Sequence, residues 1–260
     1  NKINKMFLTM CAIIKDEPNL EEWIAYNIVQ GFEHFYIYDN GSKPLIASSL
    51  KKFRDKCTII YYPGKVKQLK AYTDCKNKYG GQTTWMAFFD GDEYILPKTG
   101  TLRDFLNNHE NASAIGINWV MFGCNGHIEK PEGLVIENFT KSENIQNQHI
   151  KTIAKPSKIL NFENPHQVKL ISGSYVNALG TSINSPFNTE PTTHIIQINH
   201  YFIRSLETFR SRKIRGAADN KKISYPDPDI LYGKPLIEIF NNFKDLSMMQ
   251  YVNSVRELLV

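Results

Sequence analysis

The chain has 260 residues, enough for one large α/β domain or two small ones, and we expect one domain with an appended tail. With 42% hydrophobic and 22% charged residues it reads as a soluble globular protein, and no Gly/Ser-rich or Pro-rich tract marks a linker. A net charge of +5, with no basic cluster beyond the short run "FRSRKIRG", gives nucleic-acid binding little support, so no nucleic-acid partner is expected.

The first half alternates between strand and helix patterns. "MFLTMCAII" (6–14) is a β-rich apolar run, too short to span a bilayer and leading straight into Lys15-Asp16-Glu17, so it reads as a strand and no transmembrane segment is expected. "PNLEEWIAYNIVQG" is a helix opened by Pro18 and stopped by Gly31, with Leu20, Trp23, Ile24 and Ile28 on one face. "HFYIYD" is a strand closed by the turn "NGSKP"; "LIASSLKKF" follows as helix, "CTIIYY" as strand, "VKQLKAYTDCKNKYG" as helix and "TTWMAFFD" as strand. Four strand–helix alternations predict a mostly parallel sheet covered on both faces.

After a helix "TLRDFLNNH" the character changes. "ASAIGINWVMFG", "KTIAKPSKIL", "HQVKLIS" and "THIIQINHYF" read as strands separated by long Asn-rich loops, and predict mixed or antiparallel additions carrying an acceptor-facing surface. "SLETFRSRKIRG" is a helix with Ser205 as N-cap and Gly216 as its stop. The last segment, residues 235–259, is amphipathic and is expected to pack as helix on the same domain. Cys11, Cys57, Cys75 and Cys124 show no paired spacing and read as reduced thiols, which discounts zinc and disulfides and favours a cytoplasmic location or the cytosol-facing periphery of a membrane.

Ligands of such sheets bind beyond the carboxyl ends of the strands. Three of those ends are polar: "KDE" after the first strand, "YDNGS" after the second and "DGDE" after the fourth. The last of these is the most telling, because "WMAFFDGDEYILP" spends a hydrophobic strand to deliver Asp90, Asp92 and Glu93 to one point. Crowded carboxylates repel one another unless a cation neutralises them, and a hard divalent ion, Mn²⁺ or Mg²⁺, is the usual answer, with open positions left for phosphate oxygens. In haloacid-dehalogenase phosphatases the first Asp of such a strand is a nucleophile. There the motif stands near the chain start with Thr or Val two places beyond the second Asp, where this chain has Tyr94.

The surrounding blocks carry a closer resemblance. "IIKDEPNLEEWIAYNIVQGFEHFYIYDNGS" resembles the opening of the GT-A glycosyltransferases of family 92 and the related family-2-like group. "WMAFFDGDEYILP", "NWVMFGCNGH", "KTIAKP" and "INHYFIRSLETFRSRKIRG" are similar to that group's later blocks in the same order. The resemblance covers roughly residues 7 to 216; Asp16 stands where Asn is commoner, and residues 217–260 match no block. It implies an α/β GT-A fold, Rossmann-like, with a mostly parallel central sheet, helices on both faces and antiparallel C-terminal additions. The donor-binding half would cover about residues 1–110 and the acceptor-side half 111–216, with 217–260 as a helical extension.

The resemblance further implies a metal-dependent transferase moving a sugar from a nucleotide-diphosphate donor, UDP before GDP, to a glycan acceptor, with inversion. Asp90 and Asp92 would hold the Mn²⁺ or Mg²⁺, with His200 as a third ligand or else a satisfied core residue. Lys15, Glu17, Asp39 and Asn40 would face the nucleotide, although Asp-Asn-Gly is also a strong turn signal. Asp90 would also face the donor, and Lys213 and Arg215 would neutralise the leaving diphosphate, with Arg204 and Arg212 competing for that role. Glu93 would orient a sugar hydroxyl, and Trp119, Asn125 and His127 would meet a sugar; core packing explains Trp119 equally well. Glu163 and His166 are the candidates for the catalytic base, ahead of Glu129 and Glu132. The rival reading is a catalytically inactive GT-A-fold binding or scaffold protein, which would be expected to have lost an acid of the pair or the downstream His.

Overall fold

The structure is a computed structural model that describes residues 5–143, 145–215 and 229–260. The alternation of the first half is present as β1 (Met6–Ile14), α1 (Leu20–Val29), β2 (His34–Asp39), α2 (Ile46–Ser49), β3 (Cys57–Tyr61), α3 (Gln68–Tyr79) and β4 (Thr83–Phe88). The last seven residues of β1 are all buried, as a strand covered on both faces requires. The helix expected over residues 45–53 is a single turn: Leu50 is already in extended backbone at ψ 114° and Phe53 turns left-handed at φ 61°.

There follow β5 (Glu93–Pro97), α4 (Leu102–Asn108), β6 (Ala114–Met121), α5 (Val135–Asn138), β7 (Lys141–Ser142) and β8 (Ile150–Ala154). Then come β9 (Ile159–Phe162), β10 (Val168–Leu170), β11 (Tyr175–Val176), β12 (Ile196–His200) and α6 (Leu206–Arg215). The chain closes with β13 (Ile230–Leu231), β14 (Lys234–Pro235), β15 (Phe243–Lys244) and α7 (Val252–Leu259).

The chain departs from the sequence pattern at two further places. "KTIAKPSKIL" is not one strand: Pro156 opens a 3₁₀ turn over Pro156–Lys158 that separates β8 from a β9–β10 hairpin. The tail is less helical than its amphipathic pattern predicts, with α7 alone an α-helix after a 3₁₀ turn at Ser247–Tyr251. That helix does pack on α1: Val252 and Val255 are buried in the same core as Trp23, and the Tyr251 and Tyr26 rings meet edge to face at 5.6 Å. Ser205 does cap α6, its Oγ accepting from the Thr208 N–H at 3.2 Å. Gly216 lies outside the described residues, as do 217–228 of the expected extension. All four cysteines are free. Among the described residues no helix is long and apolar enough to cross a membrane.

The main sheet runs β3-β2-β1-β4-β8-β6-β12-β5, with β11 beside β6. β1 to β4 pair in parallel, β8 lies antiparallel between β4 and β6, and β12 is parallel to β6. The carboxyl ends of β1, β2, β3, β4, β6 and β12 therefore share one edge. β5 starts from that edge antiparallel to β12, with Glu93 opposite His200. This is an α/β, GT-A-like architecture, as the resemblance implies.

A buried acid joins α1 to the start of α5. Both Glu22 oxygens accept backbone N–H bonds, from Val135 at 2.8 Å and Ile136 at 3.2 Å. Burial nevertheless pushes its carboxyl up to about 7, against the pull of those bonds and of Arg204. The unfolded chain then ionises Glu22 before the folded one does, so its contribution to stability is complete below pH ~4.5 and is lost as pH rises towards ~7. Glu22→Gln is expected to gain on the wild type by up to about 3 kcal/mol between pH 5 and pH 8. Urea unfolding of both proteins at the two pH values measures it, and parallel pH profiles would refute it.

Candidate active site

β4 delivers Phe89 into the core and then turns at Asp90-Gly91-Asp92. A Cβ on Gly91 would come within 2.8 Å of Ile14 Cδ1, so glycine lets the turn lie against the end of β1. The turn is pinned by several bonds. Glu93 N–H donates to the Asp90 carbonyl at 3.1 Å, Tyr201 N–H to the Asp92 carbonyl at 3.0 Å, and Asp90 N–H to Glu93 Oε2 at 2.9 Å. Behind it, the buried Trp23 indole donates to the Glu93 carbonyl at 2.8 Å.

The three acids are matched by cations of the chain itself. Asp90 Oδ1 accepts from Gln68 Nε2 at 2.8 Å, and its Oδ2 pairs with Lys151 Nζ at 3.0 Å. The same Lys151, with no side-chain exposure, lies 3.6 Å from Glu93 Oε2. Burial, reinforced by the Asp90 and Asp92 carboxylates, keeps the Glu93 carboxyl well above the usual range, whereas Asp90 and Glu93 hold Lys151 protonated against its own desolvation. Asp92 Oδ2 pairs with Arg212 Nη2 at 2.8 Å and His200 Nε2 at 3.4 Å. Burial alone would raise Asp92, but Arg212, His200 and Arg204 together hold it well below the ordinary carboxylate range.

The expected set of three metal ligands is not assembled: among the described residues no three His, Cys, Asp or Glu side chains come together to hold an ion. Asp90 is the one apart, drawn to Gln68 and Lys151. The other two fit an ion better. Two ligands at right angles on Mg²⁺ would stand about 3.0 Å apart, close to the Asp92–His200 separation of 3.4 Å. Asp92 Oδ2 meets Arg212 and His200 as ion-pair contacts and accepts no hydrogen bond, which leaves a lone pair open to an ion.

The strand-end residues read as nucleotide contacts are engaged elsewhere. Glu17 carries a two-pronged ion pair with Arg204, with Nη2 to Oε2 at 3.0 Å. Asp39 is buried and accepts from the Ser42 and Ile46 N–H groups, both at 2.8 Å, while Asn40 donates to the Tyr62 and Gly64 carbonyls. Both thus build the turns after β2 and β3, the alternative that Asp-Asn-Gly left open. Lys15 is exposed at the end of β1.

Trp119, expected to meet a sugar, is no open platform. His149 stacks on it at 5.2 Å, His166 meets it at 5.1 Å and His200 at 4.3 Å. Asn125, left-handed at φ 53°, spends its side chain on Thr140 and Lys141, and the His127 ring packs on Phe139. Glu163 is exposed at the β9–β10 turn. His166 lies against the Trp119 cluster instead, its Nδ1 bonded to the Ile150 carbonyl at 2.9 Å, which puts the proton on Nδ1 and leaves Nε2 as an acceptor. Burial and the Lys151 charge push its ring down to about 4, so it is neutral near pH 7.

Lys213 lies over the Phe209 ring at 4.4 Å, and the Arg215 side chain is outside the described residues. Arg212 of α6 does meet the acids, through Asp92 Oδ2. Sequence reasoning overlooked Lys151 and Gln68. For Lys151 a signal existed, since a lysine between Ile150 and Thr152 in an apolar strand is buried only when paired; for Gln68 there was none.

The sequence profile of glycosyltransferase family 92 matches residues 8–256. A family 92 protein of Ricinus communis is 27% identical over 225 residues, covering 81% of this chain and 38% of its own length. One from Oryza sativa subsp. japonica is 24% identical over 213 residues, covering 79% and 35%. The beta-1,4-galactosyltransferase galt-1 of Caenorhabditis elegans is 26% identical over 175 residues, covering 62% and 41%. The chain thus spans well under half the length of these relatives. Since the profile match runs from β1 into α7 and takes in the acid turn with its cations, the chain belongs to glycosyltransferase family 92.

Proposed function

We propose that this protein transfers a sugar from a nucleotide-diphosphate sugar, UDP-linked, to a glycan acceptor, with inversion at the anomeric carbon. The observation that carries the reading is the Asp90–Glu93 turn, set at the shared carboxyl edge of the sheet and ringed by His200, Arg212 and Lys151. Family membership and the name of the galt-1 relative support the same class of reaction. Asp92 and His200 would hold Mn²⁺ or Mg²⁺, which when bound supplies positive charge for the departing diphosphate.

The chain's own side chains do the rest. Lys151 and Gln68 fix Asp90, and Glu93 braces the turn from inside. Arg212 offers a fork suited to phosphate oxygens. Of the two residues read as the base, His166 adjoins the imidazole cluster; its weak basicity suits it to orient an acceptor hydroxyl through Nε2 rather than to keep the proton.

Calorimetric titration of UDP-galactose, UDP-glucose, UDP-N-acetylglucosamine and GDP-mannose, with and without Mn²⁺, tests the reading. One UDP-sugar is expected to bind only with Mn²⁺, and Asp92→Ala to weaken it by more than about 100-fold, at least what a lost outer partner of a metal ligand costs. Binding of none of the four under either condition would sink the proposal.

A further inference from the structure

Among the described residues Lys151, Arg204, Arg212 and the His200 imidazole surround the acid turn, and they are not equally exposed. Lys151 has 0% side-chain exposure and lies between Asp90 and Glu93; Arg204 has 2% and is committed to Glu17; His200 has 7%. Arg212, at 25%, reaches solvent. Its Nη2 lies 2.8 Å from Asp92 Oδ2, the oxygen that His200 Nε2 faces at 3.4 Å. A second prong, Nη1, donates to the Phe202 carbonyl at 2.8 Å, and the guanidinium lies over the Phe202 ring at 5.7 Å. One carboxylate oxygen therefore carries both the imidazole that would share an ion with it and a guanidinium in the ion's place.

We propose that Arg212 is the resident cation of the donor site: it occupies Asp92 while the site is empty and exchanges Asp92 for the diphosphate when a divalent ion enters. The inference rests on the metal-dependent reading above. A divalent ion at about 2.1 Å from Asp92 Oδ2 and a guanidinium ion-paired with the same oxygen would be like charges in contact within a buried site. The ion must therefore displace Arg212. The nucleotide's diphosphate offers the displaced fork pairs of non-bridging oxygens to bond bidentately, so it lowers the cost of leaving Asp92. Metal alone binds weakly, and metal with UDP binds cooperatively. If Arg212 is seated nine times in ten, the apparent metal affinity falls about tenfold below the intrinsic one.

Room-temperature electron paramagnetic resonance of free Mn²⁺, titrated with the whole chain in the presence and absence of UDP, reads this without any activity assay. Arg212→Gln is expected to bind Mn²⁺ about tenfold more tightly than the wild type when UDP is absent. In the wild type UDP should tighten Mn²⁺ by a factor that shrinks in Arg212→Gln, since coupling between the two ligands is reciprocal. Arg212→Lys keeps the charge but lacks the planar fork that meets Asp92 and the Phe202 carbonyl together, and is expected to bind Mn²⁺ more tightly than the wild type as well. Equal Mn²⁺ affinity in wild type and Arg212→Gln would overturn the assignment and leave the metal-dependent reading intact. Arg212→Lys matching the wild type while Arg212→Gln tightens would reduce the effect to general charge and overturn it too. Absence of Mn²⁺ binding in every protein, with UDP present, would overturn the metal-dependent reading itself.

Discussion

Arg204→Ala is expected to destabilise the protein by about 3–5 kcal/mol, the range for removing one partner of a buried ion pair. The arginine follows β12, has 2% side-chain exposure and sits in left-handed backbone at φ 57°. Its fork meets both oxygens of Glu17, and Nη1 also reaches Asn19 Oδ1 at 3.2 Å. It thereby ties the β12–α6 connection to the β1–α1 connection, across the edge where the acid turn lies. Alanine leaves the Glu17 carboxylate, 9% exposed, facing a void with no cation. Glu17→Ala strands the opposite charge and should cost a similar amount. The double variant should then cost clearly less than the sum of the two, because it leaves neither charge uncompensated. Urea unfolding of the four proteins closes the cycle; a loss below about 1 kcal/mol for Arg204→Ala would mean the pair behaves as a solvated one.

How much of this was legible depends on the range of the interaction. β1 to β4 could be read because parallel strands covered on both faces appear as unbroken apolar runs, and Pro18 and Gly31 punctuate α1. The acid turn stood out for the same reason, since it interrupts such a run. What neutralises it did not stand out: Lys151 lies 61 residues from Asp90, and Arg204 lies 187 residues from Glu17. Spacing carries no record of such partners, so the crowded acids point to a divalent ion in sequence, whereas the fold brings Lys151 and Arg212 to them. The tail misled differently. Its amphipathic pattern is real, but Asn241 ties the loop at Asn125 through its Oδ1, and residues 230–244 form short strands rather than a helix.

Trp23→Ala is expected to cost about 3–5 kcal/mol, the range for truncating a fully buried aromatic side chain. Trp23 has no exposed surface, meets Phe35 edge to face at 5.8 Å and donates its indole N–H to the Glu93 carbonyl. Two contributions are mixed in that number, and Trp23→Phe separates them: it keeps most of the ring but leaves a buried carbonyl without a donor, about 1–3 kcal/mol. The phenylalanine variant is the informative one for the site. Glu93 closes the acid turn through its own N–H and through Oε2, so the indole behind it fixes the base on which Asp90 and Asp92 are held. Trp23→Phe should therefore stay folded while binding Mn²⁺ and UDP several-fold more weakly, as expected when the packing that locks a site is relaxed. Unchanged affinity in a folded Trp23→Phe would show that the Tyr201–Asp92 and Glu93–Asp90 bonds hold the turn without help from α1.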